Sequence, residues 1–143
     1  MTKREPGLRL TSNQAQQLVQ NAIAAGLGEG LAVSAAVVDS SGHLLAFGRA
    51  DEAFLGSIDA SMAKARTAVY FRRDTGAMQR ALEQGKTAYL ALTGALPLEG
   101  GVPLHAGDSV VGGLGISGAS SMQDGTLARA AASFMSGLGE HGA

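Results

Sequence analysis

The chain has 143 residues, 45% apolar and 16% charged, with 11 Lys and Arg against 12 Asp and Glu, for a formal net charge of -1. That length and apolar share suit one folded domain rather than a disordered chain, and the balanced charge leaves no electrostatic footprint for nucleic acid. The absence of cysteine excludes disulfides, thiolate catalysis and Cys-ligated zinc or iron–sulfur sites.

No apolar run reaches the roughly 20 residues that span a bilayer. Met1 to Leu10 lacks the apolar core of a secretory signal. The expected location is therefore the cytoplasm, with no membrane partner. Trp is absent and aromatics make up 4%, which disfavours a base-stacking surface.

Residues 1–9 read as a polar arm. Thr11 opens a helix, with Gln14 as its capping-box partner. Ala15, Leu18, Val19, Ala22 and Ile23 share one face of that helix, and the glycines at 26, 28 and 30 end it. "LAVSAAVVD" (Leu31–Asp39) and "HLLAFGR" (His43–Arg49) flank the turn signal Ser40-Ser41-Gly42, which predicts an antiparallel hairpin. After a loop at 50–56, Ser57 is the expected N-cap of a second helix, with Asp59 in its first turn. Ile58, Met62, Ala65 and Val69 form its expected buried stripe.

Thr75 is the expected cap of a short helix ending near Glu83. Residues 87–93 suit helix or strand equally. Ser109–Ser117 reads as a strand, preceded by a turn at 106–108. A last helix spans about Asp124 to Leu138, with Leu127, Ala131, Phe134 and Leu138 on one face, and residues 139–143 are a frayed tail. Tight turns between strands predict an antiparallel α+β domain, one unit over 1–143.

The stretch "GGVPLHAGDSVVGGLGISG" (Gly100–Gly118) puts seven glycines beside strand-forming residues. Glycine weakens a strand interior and is kept there for close backbone approach. Packing of a helix or a second protomer onto Gly112, Gly113 and Gly115 explains part of it. A ligand cradle built from Gly100, Gly101, Val102 and Pro103 is the alternative. No Gly-Lys-Ser/Thr follows, so the stretch is not a P-loop.

Few side chains are suited to chemistry. His43, at the hairpin mouth, is a candidate metal or haem ligand or general base; the simpler reading is a turn residue bonded to Asp39. Glu99 precedes the glycine pair, where desolvation makes a carboxylate a better base. Arg49, Lys64 and Arg66 are candidate anchors for a ligand carboxylate. Arg72 and Arg73 suit a helix C-terminus. No metal-binding array of histidines is present, and the serines at 117, 120 and 121 lack a triad.

Three stretches in this order, "VVDSSGHLLAFGRAD", "SIDASMAKARTAVYFRRDT" and "GGVPLHAGDSVVGGLGISGASSMQD", resemble the GlcG/HbpS family, whose members include haem-binding and haem-degrading-like proteins. They are similar also to the C-terminal domain of PduO-type adenosyltransferases. The resemblance spans about Leu10 to Leu138. It implies a profilin-like sandwich with an antiparallel sheet of about five strands, and homo-oligomers that include octamers. It departs at Gly125, where members commonly carry an acidic residue, and at Arg73-Asp74-Thr75, where "RPT" is usual.

The resemblance implies haem or a related tetrapyrrole as ligand, with a binding or degradation accessory role; among this chain's own residues His43 is the one attractive axial ligand in the body of the fold. A cofactor-free isomerase, tautomerase or cyclase is the competing expectation. There Glu99 or His43 is the base, Arg49 or Arg66 the anchor, and the N–H groups at 100–101 stabilise an enolate-like charge. A non-catalytic oligomeric binding protein is the third.

Overall fold

The computed structural model describes residues 9–141, and side chains through residue 134. Residues 1–8 of the expected polar arm, the last two residues and the side chains of Leu138 and His141 lie outside the described part.

The elements run α1 (Ser12–Gly28), β1 (Ser34–Asp39), β2 (Leu44–Arg49), α2 (Gly56–Phe71), α3 (Thr75–Glu83), a 3-10 turn (Thr87–Ala91), β3 (Gly101–Ala106), β4 (Ser109–Ser117) and α4 (Ser121–His141). The capping box of α1 forms: the Thr11 N–H donates to Gln14 Oε1 at 2.9 Å and the Gln14 N–H to Thr11 Oγ1 at 3.1 Å. The sheet is antiparallel throughout, in the order β2-β1-β4-β3. It has four strands rather than about five. The ambiguous segment after α3 buries none of its residues and winds as 3-10 turn, so β3 remains an edge. Pro103, which has no N–H to donate, suits that edge.

One face of the sheet carries α1 and α4. Leu18 and Ala22 of α1 and Leu127, Ala128 and Ala131 of α4 pack with Val37, Leu114 and Ile116 from the strands. Phe134, expected on this buried face, is 44% exposed. The face turns instead through Asp124, Leu127, Ala128 and Ala131, all buried.

The opposite face carries α2, and here the expected stripe is rotated. Ser57, Ser61, Lys64, Ala65 and Ala68 are buried, while Ile58 and Met62 are only half-buried. Hydrophobic periodicity misses this because β4 presents glycine to α2. A Cβ on Gly113 would stand 2.5 Å from Ala65 O, and one on Gly115 would strike Ser61 O and sit 2.6 Å from Ala65 N. The helix backbone therefore rests directly on the strand, and short polar side chains fit where leucine does not. Ser57 is not the N-cap: α2 begins at Gly56, and Ser57 Oγ is buried, 2.8 Å from Ser34 Oγ.

Asp74, rather than Thr75, caps α3, its Oδ1 accepting the Gly76 N–H at 2.7 Å. Among the described residues no helix is long and apolar enough to cross a membrane.

Candidate functional site

The residues singled out by the sequence do not converge. Cross-strand register sets Phe47, Ala36, Gly115 and Gly101 in one row, so the two edge strands are three spacings apart, about 14 Å. Glu99 belongs to the β3 edge. Arg49 ends β2 and His43 precedes its start, roughly 20 Å away along the strand. No single small metabolite can touch His43, Arg49 and Glu99 together.

The glycine pair at 100–101 is a packed seam. Gly100 has φ 133, a conformation open to glycine, and a Cβ there would strike Ile116 O and stand 2.9 Å from Lys64 Nζ. A Cβ on Gly101 would strike Lys64 O. The Gly101 N–H donates to Thr75 Oγ1 at 2.9 Å, and that hydroxyl donates in turn to Leu98 O at 2.5 Å. The Gly101 N–H proposed to stabilise an enolate is thus engaged within the fold.

Lys64 is likewise turned inward. It is 3% exposed, and Nζ donates to Ile116 O at 3.0 Å and Asp124 Oδ2 at 3.1 Å. Asp124 Oδ1 accepts the Ala119 N–H at 3.0 Å. Burial pushes the Asp124 carboxyl above the ordinary carboxylate range, and the Lys64 charge offsets only part of that. Sequence reasoning placed Lys64 as a ligand anchor; its ammonium instead ties α2 to the end of β4 and the start of α4.

Glu99 Oε2 accepts from Arg129 Nη2 at 2.9 Å, while Arg129 Nη1 donates to Asp74 Oδ2 at 3.1 Å. The Glu99 hydrogen bond, more than partial burial opposes, holds the Arg129 guanidinium firmly charged, and Asp74 adds to it. Asp74 and Arg129 of this triad line a cavity of about 360 Å3 together with Val102, Pro103 and His105. Arg129, which the sequence reading did not single out, is its organiser. The missed signal is the i, i+4 spacing of Gly125 and Arg129, which sets one face of α4 against Glu99.

Gly125 makes the room: a Cβ there would stand 2.6 Å from Glu99 Cδ. Gly125→Ala should therefore displace Glu99 and offset the helix-propensity gain of about 1 kcal/mol. In a Glu99→Ala background the same change should stabilise by about that amount. Urea denaturation of the four proteins of this cycle measures the difference.

His43 is different in kind. It is 81% exposed, and Nδ1 lies 3.7 Å from Asp39 Oδ2. Asp39 Oδ1 accepts the N–H groups of Ser41 and His43 at 2.9 and 3.0 Å. Slight burial raises the Asp39 carboxyl, but these backbone donors and the neighbouring imidazole outweigh it and hold the group below its ordinary value. At 3.7 Å this is an ion-pair distance and not a hydrogen bond; a carboxylate on the Nδ1 side nonetheless suits an imidazole that ligates through Nε2. Beside it, Tyr70 packs over Gly42, where a Cβ would stand 2.6 Å from Tyr70 Oη. Tyr70 and Leu44 are each 51% exposed. Arg49 Nη2 donates to Ala53 O at 3.0 Å, and Arg66 is half-buried on α2. Arg49 ends β2, at the far end of the strand from His43, whereas Arg66 sits one helical turn before Tyr70 on α2.

A family model described as "Haem degrading protein HbpS-like" matches residues 10–133. The chain belongs to the HbpS-like family. Protein GlcG of Escherichia coli K12 is 38% identical over 106 residues, covering 71% of this chain and 79% of GlcG. A double mutant of Streptomyces reticuli HbpS superposes with TM-score 0.83 at 35% identity, over 94% of this chain and 90% of that one. A PduOC:haem complex superposes with TM-score 0.79 at 26% identity, over 87% and 94%. The family resemblance and the α+β sandwich expected from the three sequence stretches are both met.

Proposed function

We propose that this HbpS-like chain is a tetrapyrrole-binding protein that takes haem on an exposed surface, with the His43 imidazole as the ligating group. The observation that carries this reading is the exposed His43 backed by the Asp39 carboxylate, in a chain whose relatives include a haem complex. The residues fit the group: a free Nε2, a carboxylate behind Nδ1, and the exposed Tyr70 and Leu44 for the flat apolar macrocycle. Haem supplies the iron chemistry; the protein's part is to hold one axial position and orient the imidazole.

The surface is open, which favours a site completed by a second protomer. Phe54 and Leu55, side by side at the start of α2, are 75% and 74% exposed, and among the described residues both sheet edges are unpaired. Exposed apolar residues of this size suit burial in a homo-oligomer, and we take the working form to be one, in the cytoplasm.

The proton-transfer reading draws no support from the geometry, since Glu99 is held by Arg129 and the Gly101 N–H is bonded to Thr75. His43→Ala should weaken haem binding at least about tenfold and remove the His-ligated spectrum, with Asp39→Asn giving a smaller loss. His105→Ala should leave the spectrum unchanged. An unaltered spectrum in His43→Ala assigns the iron to another residue and sinks the proposal.

A further inference from the structure

A separate cavity of about 310 Å3 lies between the end of α2, α3 and the 3-10 turn, lined by Phe71, Arg73, Met78, Ala88, Tyr89 and Leu92. Met78, 1% exposed, forms its deep wall. The segment over it buries none of Thr87–Ala91. That segment is bounded by Gly85 (φ 93) and Gly94 (φ 77), each with open space where a Cβ would stand. Both glycines have the positive φ that side-chain-bearing residues rarely adopt, and they set the turns by which the segment enters and leaves the cavity wall.

Arg73 is the one cationic residue among those that line it. Arg73 Nη1 donates to Tyr89 Oη at 3.4 Å and Nε to Phe71 O at 3.4 Å, both long for hydrogen bonds. Among the described residues Arg73 has no carboxylate within ion-pair distance, whereas Arg129 holds two. The neighbouring N-terminus of α3 is already taken by the Asp74 carboxylate, which repels a multiply charged anion. The rest of the lining is apolar. The volume falls at the small end of ligand sites, near 300 Å3, and is filled by a body of roughly ten non-hydrogen atoms.

We propose that this cavity binds a small monocarboxylate with an apolar body. The carboxylate pairs with the Arg73 guanidinium beside the Tyr89 hydroxyl, the apolar part packs on Phe71 and Met78, and Ala88 and Leu92 wall it on the other side. The site is distinct from the His43 surface, and its test does not depend on haem.

Octanoate is the probe, titrated into the full chain by calorimetry. Tyr70→Phe protein supplies a second readout, because Tyr89 is then the only tyrosine and the chain has no Trp. Saturable binding of one octanoate per chain is expected, with a change in Tyr89 fluorescence. Arg73→Gln should weaken it about tenfold or more, as should replacing octanoate by octan-1-ol, each removing one charge-assisted pair. Ala88→Phe, which fills the cavity from an exposed position, should abolish it. Arg72→Gln and His43→Ala should bind octanoate as the parent does. No saturable binding in either readout, equal affinity for octan-1-ol, or an unchanged Arg73→Gln overturns the proposal.

Discussion

Asp124→Ala is expected to destabilise the protein by about 3–5 kcal/mol, because it leaves the Lys64 ammonium buried without a counter-charge. The lost attraction is not the main term. Burial holds the Asp124 carboxyl above its ordinary range, so the folded state binds that proton more tightly than the unfolded state. Its contribution to stability therefore falls as pH rises through the window between the ordinary and the raised value, and the cost is fully present above it. The pair is kept for position, fixing α4 and the end of β4 on α2, rather than for net stability. Lys64→Met together with Asp124→Leu should then be near neutral. Lys64→Met alone should be most damaging at neutral pH and recover as acid protonates Asp124. Urea unfolding as a function of pH, from mildly acid to neutral, measures all three.

Gly115→Ala should be nearly as severe. The new methyl meets Ser61 O and Ala65 N, the latter at 2.6 Å, and both belong to the backbone of α2. A side chain can rotate away from a clash, but a buried helix has to lift off the sheet. Overpacking of a core costs about 1–3 kcal/mol and occasionally more; with backbone on the far side, the upper end or beyond is expected. Gly28→Ala, with nothing within 4 Å of the added carbon, is the matched control and should cost nothing. Thermal unfolding of the two variants separates close packing from a general intolerance of alanine for glycine.

The glycine-rich stretch shows how far the sequence could be read. Turn chemistry and capping residues placed the hairpin at 40–43 and the start of α1, because those signals act within a few residues. Glycines in a strand correctly signalled close approach of another backbone. They did not say which backbone, and the cradle expected at 100–101 is filled by Lys64 and Thr75. The buried face of α2 was misjudged for the same reason. Apolar spacing assumes that helices pack through large side chains, whereas Ser57, Ser61 and Lys64 pack here against glycine. Lys64 with Asp124 and Glu99 with Arg129 are partners 60 and 30 residues apart, a separation no local pattern encodes. His43 was the exception, since its partner Asp39 is four residues away in the same turn.

The most direct measurement is a haem titration of the purified chain followed in the Soret band, at a mass fixed by light scattering. Saturation near one haem per chain or per pair of chains, with a His-ligated spectrum that His43→Ala removes, is the predicted result. A non-saturating drift of free haem absorbance at every protein concentration would contradict tetrapyrrole binding by this member of the family.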